Sequence, residues 1–365
     1  MKKNLLLFIF TIFLSLTLIE IILLISGKYK NLTKNKLIPS DAIYERPHSS
    51  QQNHKHPDLD YIISNYFDQD GVKNFDKTPT SKKKNIIGIF GDSFTENIAV
   101  DKKFEYSRIV NTKLYNHTLV NYGVGGYSAD QSFIRYLKYK NHNIDHVFLF
   151  LFPGDEWFNT KSEFFDNGDY KIYKTKLNIY YQIIGKLNLT YFAIDSFYLI
   201  RDLFKKNHIT IDINNYNSVL ANKINKKFYN KDNPSCQEQP DICEKNLLNL
   251  LIAFQKEVKN NNAKFHILIY PEVKFVSYLT NIIKKTDKNI SYYILNKDLG
   301  KSRNRVNDSL KKRQLVFMND SHWNEYGNLV FAKNLINIFN KTGISLNNSE
   351  LKINISDIDL FYKDN

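Results

Sequence analysis

The stretch NIIGIFGDSFTEN, residues 85–97, decides the fold class of this chain. Its first half is a short run of β-branched and apolar residues, too short for a helix and typical of a buried strand. Gly91 and Asp92 then give a turn signal, and Ser93 follows directly. The stretch therefore predicts a strand that turns sharply into a helix, as in the first unit of a parallel α/β sheet.

Three further apolar runs predict three more strands of this sheet. They are TLVNYGV at 118–124, DHVFLFLF at 145–152 and KFHILIY at 264–270. Apolar residues at about every third or fourth position predict amphipathic helices at 105–115, 128–139, 244–258 and 325–339. Strands that alternate with helices imply βαβ units and a parallel sheet.

The regions around the predicted sheet differ in composition. Residues 1–27 contain the apolar run Leu5–Ile25, which is long enough to span a bilayer at about 1.5 Å per residue. Residues 28–84 are polar and predict an irregular linker. The α/β domain then takes residues 85–345, with a Tyr-, Lys- and Asn-rich insertion at about 160–243, and residues 346–365 form a C-terminal tail.

The N-terminal run is interpreted as an uncleaved signal anchor, with a cleaved signal peptide as the alternative. Lysines flank the run on both sides, and those after it favour a cytoplasmic domain by the positive-inside rule. Long domains are translocated largely regardless of flanking charge, so we expect the inner (cytoplasmic) membrane, with the domain facing the periplasm or cell exterior. There Cys236 and Cys243 would form a local disulfide, and two free thiols are the alternative.

The charge of the chain does not point to nucleic acid. Lys and Arg number 51 against 37 Asp and Glu, which gives a net charge of +14. The lysines are scattered among Asn, Ile and Tyr, and no nucleic-acid-binding motif accompanies them. We therefore expect no nucleic-acid partner. The length of 365 residues fits one α/β domain with an insertion.

Polar residues and glycines collect where the predicted strands end, which is where ligands bind in open α/β sheets. Ser93 follows the first strand, Gly126 the second and Asp155 the third, whereas Asp320 and His322 lie in NDSHWNEYGN near the C-terminus. A serine hydroxyl needs a base within hydrogen-bond reach. His322 is the candidate base, with Asp320 to orient its ring, and the glycine-rich loop lets a backbone amide approach an oxyanion.

Each of these residues also has a structural interpretation. Taken alone, Ser93 is a helix N-cap, a single histidine is most often a packing or surface residue, and the glycines mark a turn. The G-x-G-G sequence at 123–126 hints weakly at a nucleotide loop, but the full G-x-G-x-x-G pattern is absent. The order of the four blocks along the chain favours a catalytic site.

These blocks resemble those of the SGNH/GDSL hydrolase superfamily over about residues 85–340. GDSFTEN is similar to the first block, NYGVGG to the second, and DSHWNEYG to the Asp-x-His-Trp-Asn block of the membrane-anchored and polysaccharide-modifying branches. The resemblance implies a flavodoxin-like three-layer α/β/α sandwich with a parallel sheet. It implies acyl-ester chemistry without a metal or other cofactor.

The resemblance also implies the role of each site residue. Ser93 is the expected nucleophile, His322 its base and Asp320 the partner of that base. Two oxyanion donors are expected from the backbone amides of Ser93 and Gly126.

The third block departs from the family pattern. It usually reads Gly-Asn-Asp, whereas this chain has Gly154-Asp155-Glu156, so that Asp155 occupies the usual Asn position. We expect the Asp155 carboxylate to point away from the oxyanion, because two negative charges repel strongly in a water-poor site. The alternatives are a protonated Asp155 that donates to the oxyanion and an enzyme that has lost its activity. Asn159, or a backbone amide of the same turn, is the expected replacement donor.

The resemblance favours an acyl-ester hydrolase or O-acyltransferase that acts on an acylated, preferentially acetylated, envelope polysaccharide through an acyl-enzyme on Ser93. The alternatives are a lipid esterase at the membrane face and a non-catalytic carbohydrate-binding protein that retains the fold. The expected partners are therefore an acylated glycan or a lipid ester, and the membrane through residues 5–25.

Overall fold

The structure is a computed structural model. It describes residues 2–26, 38–40, 43–46, 48–56, 58–74, 80–155, 163–166, 169–172, 240–286, 290–300, 314–317, 320–347, 351 and 353–364. Contacts divide the chain into two compact units, one of Met1–Asn35 with Leu177–Gln239 and one of Lys36–Lys176 with Pro240–Asn365.

The described residues of the first unit form helix α1, Lys2–Ser26. Several large aliphatic and aromatic side chains on it are exposed, among them Phe10, Leu14 and Leu18. Within the described part of the chain, no helix is both long enough and apolar enough to cross a membrane. The anchor expected at residues 5–25 stays a prediction.

The second unit contains a sheet, several short strand pairs and seven described helices. Its strands are β1 (Ile38–Ser40), β2 (Ile43–Glu45), β3 (Ser50–Lys55), β4 (Ile62–Phe67), β5 (Ile86–Phe90), β6 (Thr118–Asn121), β7 (Ile144–Leu151), β8 (Glu163–Asp166), β9 (Asp169–Ile172), β10 (Lys264–Ile269) and β11 (Ser291–Ile294). Its helices are α2 (Ser93–Glu96), α3 (Tyr106–Asn111), α4 (Ala129–Tyr139), α5 (Pro240–Asn260), α6 (Val273–Lys285), α7 (Glu325–Thr342) and α8 (Ile355–Asp364).

Five parallel strands form the central sheet, in the spatial order β11-β10-β7-β5-β6. The four strands that the sequence predicts are confirmed as β5, β6, β7 and β10, and the four predicted helices as α3, α4, α5 and α7. Helix α6 and edge strand β11 were not predicted. Three of the four side chains of β11 are exposed and the fourth is half-buried, so its sequence lacks the apolar run of the other strands.

Side chains along each strand alternate between two apolar clusters, as the pleat of a strand requires. In β5, Ile87 and Ile89 belong to one cluster, whereas Ile86 and Phe90 belong to the other. Helices α3 and α7 pack into the first cluster, and α4, α5 and α6 into the second. The central strands are therefore largely buried on both faces, which explains why their sequences are mostly apolar. The unit is a parallel α/β fold.

The segment 38–74 differs from the irregular linker that the sequence predicts. Strands β1 and β2 pair antiparallel, and so do β3 and β4. Buried charges attach the segment to the domain, since the Glu45 carboxylate accepts hydrogen bonds from Arg135 at 3.2 Å and from the Tyr139 hydroxyl at 2.9 Å. Its polar composition thus reflects buried ion pairs as well as solvated side chains.

The C-terminal residues are also more ordered than the tail that the sequence predicts. Helix α8 buries Ile358 in the first apolar cluster. Its Asp359 accepts a hydrogen bond from the Tyr326 hydroxyl of α7 at 2.6 Å. The end of the chain is therefore part of the domain.

Most of the insertion predicted at 160–243 lies outside the described residues. The described parts are the antiparallel pair of β8 and β9 and the first turn of α5. Cys243 in that turn is disulfide-bonded, as predicted for its pair with Cys236, which itself lies outside the described residues.

Candidate active site

Ser93 is the first residue of α2, immediately after the turn that follows β5. The Asp92 carboxylate caps this helix by accepting the Phe94 amide at 2.9 Å, which confirms a structural role for Asp92. A Cβ atom at Gly91 would lie 2.3 Å from the Thr95 hydroxyl oxygen, so only glycine fits the turn. Ser93 is half-buried and stands at the carboxyl end of β5, where the strand order reverses and ligands bind in such sheets.

Two residues from near the other end of the chain reach Ser93. The Nε2 atom of His322 lies 2.6 Å from the Ser93 Oγ atom, and its Nδ1 atom lies 2.5 Å from Oδ1 of Asp320. The His322 amide also donates to that carboxylate oxygen, at 3.2 Å. The three residues form a continuous serine–imidazole–carboxylate chain, in which the carboxylate accepts a hydrogen bond from Nδ1–H and leaves Nε2 to accept one from the hydroxyl.

The residues after His322 explain why this loop is held in place. Trp323 is buried against Phe150 and Phe331 of the first apolar cluster. Asn324 caps α7 by accepting the Gly327 amide at 3.1 Å, and its own amide group donates to backbone carbonyls at 3.0 and 3.2 Å. The Trp-Asn part of the block is therefore structural, and it presents the Asp-x-His part to Ser93.

The charges at the site favour a basic imidazole. Burial disfavours the charged form of His322. The hydrogen bond and charge of Asp320 outweigh burial, so the pKa of His322 is raised above its ordinary value. Burial likewise opposes ionisation of Asp320, and hydrogen bonds from His322 and His56 nevertheless hold its pKa well below the usual range. Burial raises the pKa of Asp92 to about 6, against the hydrogen bond from the Phe94 amide.

The glycine-rich loop that follows β6 lies against Ser93. A Cβ atom at Gly125 would lie 3.6 Å from the Ser93 Cβ atom and 3.1 Å from a carboxylate oxygen of Glu96. The Gly125 amide donates to that oxygen at 2.7 Å. Gly126 is exposed and has a φ of +81°, a backbone conformation that residues other than glycine rarely adopt. The glycine beside the serine is therefore Gly125, and the predicted oxyanion glycine, Gly126, is the next residue and has a backbone conformation suited to glycine.

In the third block, the Asp155 carboxylate accepts a hydrogen bond from the backbone of its own turn. The Oδ2 atom of Asp155, a buried residue, accepts the Phe152 amide at 2.8 Å, and the Asp155 carbonyl accepts the Ala129 amide at 3.0 Å. Asn159 lies outside the described residues. The donor expected from the third block therefore stays a prediction.

The segment 38–74 contributes two buried basic side chains to helix α2, which begins at Ser93. The sequence analysis predicted neither of them. Arg46 donates to both carboxylate oxygens of Glu96, at 2.5 and 2.7 Å, with both side chains buried. Burial opposes ionisation of Glu96, but Arg46 outweighs it and lowers the pKa. The Lys73 ammonium donates to the carbonyls of Glu96 and Asn97 at 3.1 and 2.7 Å. A buried carboxylate such as Glu96 needs a cation, but nothing in the sequence identifies Arg46 as that cation.

A second histidine also reaches the site from this segment. The Nε2 atom of His56, which is buried just after β3, lies 3.3 Å from Oδ2 of Asp320. Nothing in the local sequence distinguishes His56 from its neighbours His48 and His54.

The chain has no match among protein-family models, and no curated protein matches it significantly.

Proposed function

We propose that the protein is a serine-dependent acyl-ester hydrolase or O-acyltransferase that forms an acyl-enzyme on Ser93. One observation carries the proposal: His322 contacts the Ser93 hydroxyl through Nε2, at 2.6 Å, and Asp320 through Nδ1, at 2.5 Å. A hydroxyl becomes nucleophilic when an adjacent base removes its proton, and a third group that orients the base completes the unit. An isolated N-cap serine needs neither partner.

In the proposed reaction the Ser93 oxygen attacks the ester carbonyl carbon while its proton moves to Nε2 of His322. Asp320 stabilises the imidazolium that forms. Collapse of the tetrahedral intermediate breaks the bond to the alcohol, which takes the proton from His322 and leaves an acyl-serine. His322 then removes a proton from water or a sugar hydroxyl, which attacks the acyl-serine. Collapse of this second intermediate breaks the bond to the Ser93 oxygen, which takes the proton back from His322, and releases an acid or a new ester.

The oxyanion of the intermediate is assigned to backbone amides. Within the described residues, no hydrogen bond uses the Ser93 amide as its donor. Gly126 follows Gly125, whose would-be Cβ atom lies 3.6 Å from that of Ser93. A lost donor of this kind costs about 10²–10³-fold in rate, so the third donor, proposed as Asn159 or a backbone amide, is significant.

Two further features support a finer assignment of the fold. Counted along the chain, the sheet strands have the order 2-1-3-4-5, which is that of flavodoxin-like folds. The Ser93 and His322 blocks stand in the order of SGNH hydrolases. We therefore assign the domain to the flavodoxin-like, three-layer SGNH hydrolase fold.

The proposed location is the inner membrane, with the domain outside the cytoplasm. The apolar run of residues 5–25 supports an anchor, and exposed aliphatic side chains on α1 agree with it. The bonded state of Cys243 supports an oxidising compartment, because such bonds are rare in the cytosol.

An acetylated envelope polysaccharide is the proposed substrate. The resemblance of the C-terminal block to polysaccharide-modifying enzymes supports this class, and a net charge of +14 suits an anionic polymer.

A fluorophosphonate probe tests the proposal, because it phosphonylates only activated serines. We expect labelling of the wild-type protein and of the Ser321→Ala variant, which removes an exposed serine beside the triad. Ser93→Ala should not be labelled. Labelling that persists in Ser93→Ala refutes the assignment, and no labelling of wild type favours the non-catalytic alternative. p-Nitrophenyl acetate and octanoate then separate acetyl-ester from lipid-ester activity, with faster acetate turnover expected.

A further inference from the structure

Asp320 has two carboxylate oxygens, and each faces a different histidine. His322 Nδ1 lies 2.5 Å from Oδ1, whereas His56 Nε2 lies 3.3 Å from Oδ2. His56 comes from 264 residues earlier in the chain, in the segment that also binds the nucleophile helix. The site therefore contains a fourth side chain in line with the serine, imidazole and carboxylate.

The surroundings of His56 fix which of its nitrogens carries the proton. The backbone amide of Asp58 donates to Nδ1 of His56 at 3.2 Å. A neutral imidazole that accepts through one nitrogen donates through the other. The proton of neutral His56 is therefore on Nε2, and it points at Asp320.

His56 is held more rigidly than the carboxylate that it contacts. Its side chain is 3% exposed, against 31% for Asp320. Its ring packs on the ring of Phe317, with 4.1 Å between the centroids. The Phe317 amide donates to the His322 carbonyl at 3.1 Å, so one short segment supports both histidines.

A partly exposed carboxylate such as Asp320 has two obstacles as a triad member: it can rotate, and water competes for its oxygens. A buried donor on Oδ2 opposes both, because it fixes the carboxylate plane and leaves Oδ1 directed at His322. Misplacement of a catalytic group by about 1 Å can cost about 10²-fold in rate.

We infer that His56 is a positioning residue, which acts through Asp320 to hold the His322 ring in line with Ser93. The inference rests on the proposed function for its effect on turnover. The placement of the three side chains can be measured without turnover.

Histidine-ring NMR of the full-length protein tests the placement. The ¹⁵N shifts should show a proton on Nε2 of His56, the nitrogen that faces Asp320, and an Nδ1–H tautomer without a proton on Nε2 would overturn the inference. The Nδ1–H proton of His322 should give a downfield resonance protected from exchange. We expect it in wild type and in His48→Ala, a change at an exposed histidine of the same segment. His56→Ala should lose it through exchange, and His56→Gln, which keeps a donor near the Nε2 position, should retain it.

Turnover of p-nitrophenyl acetate tests the consequence. His56→Ala should lower kcat by about 10- to 100-fold with little change in KM, and His56→Gln should recover most of it. In an Asp320→Ala background, His56→Ala should have no further effect, because its partner is already absent. An equal loss in both backgrounds, or an unchanged His322 resonance in His56→Ala, overturns the inference. If the NMR results hold but no serine is labelled by fluorophosphonate, the proposed function fails and the placement of His56 stands.

Discussion

Arg46 and Glu96, which are fifty residues apart in sequence, form a buried two-contact ion pair on the helix that begins at Ser93. Glu96 also accepts the amide of Gly125, the glycine that lies against Ser93. The pair therefore connects three parts of the site: the segment 38–74, helix α2 and the glycine-rich loop that follows β6.

Removing the cation of this pair should destabilise the domain strongly. Arg46→Met leaves the Glu96 carboxylate buried without its partner, and we expect a loss of about 3–5 kcal/mol in the free energy of unfolding. Arg46→Lys should recover only part of this, because an ammonium cannot make two parallel hydrogen bonds. Urea denaturation at pH 7 measures both. Arg108→Met, at an exposed arginine, is the control and should change stability by about 0.5 kcal/mol or less. Equal effects at the two arginines would show that the ion pair is not needed.

The triad should behave as one unit in kinetics. Ser93→Ala and His322→Ala should each abolish turnover of p-nitrophenyl acetate, and the double variant should be little worse than either, because each change alone disables the same step. Additive losses would mean that the two residues act in separate steps. Ordinary activity in Ser93→Ala would end the assignment.

The pH dependence should follow His322. The base must be neutral to accept a proton, and its pKa is raised above the ordinary 6.5. We therefore expect kcat/KM to increase with pH, with its midpoint above 6.5. Asp320→Asn removes the interaction that raises this pKa, so the midpoint should move to lower pH while the plateau drops by about 10⁴-fold. The rate of fluorophosphonate labelling, measured as a function of pH, gives the midpoint and the plateau for the wild-type protein and for Asp320→Asn. Identical midpoints would contradict the role of Asp320.

Asp155 should tolerate a neutral amide. In Asp155→Asn the side-chain oxygen can still accept the Phe152 amide, so we expect similar or higher esterase activity and little change in stability. Asp155→Ala removes the acceptor and should cost about 1 kcal/mol in the free energy of unfolding. Asn159→Ala should lower activity by about tenfold or more, as expected for a lost oxyanion donor. Loss of activity in Asp155→Asn with none in Asn159→Ala would give Asp155 a direct role.

The location can be tested through the cysteines and the C-terminus. Because Cys243 is disulfide-bonded, native unreduced protein should resist thiol labelling, and reduction should expose two thiols. A C-terminal alkaline phosphatase fusion should be active, and a C-terminal green fluorescent protein fusion exported by the same route should be dark. The reverse pattern would place the domain in the cytoplasm.

The central sheet was predictable because its signal is local. Strands β5 and β7 are buried on both faces except at Asp145, so their sequences are mostly apolar. Edge strand β11 is largely exposed, and four residues without an apolar run do not distinguish a strand from a loop. Ser93, Asp320 and His322 were likewise found because each lies in a short block of neighbouring residues.

Arg46 and His56 were not predictable for the opposite reason. Their partners Glu96 and Asp320 are 50 and 264 residues away, and no local period records such pairs. Composition also misled, because a buried cation with a carboxylate partner and a solvated cation look the same in a sequence. The polar character of residues 28–84 therefore hid the part of the chain that supports the site.

The distance along the chain between nucleophile and base has a consequence for the growing polypeptide. Ser93 and His322 are separated by 229 residues, so a chain under synthesis carries its nucleophile long before its base. Without that base the serine is an ordinary hydroxyl, because a weak nucleophile stays weak until its proton has an acceptor. Under the proposed function, any nascent or prematurely terminated chain that stops before residue 322 is thus inert toward esters, and the protein becomes reactive only after its base has been synthesised.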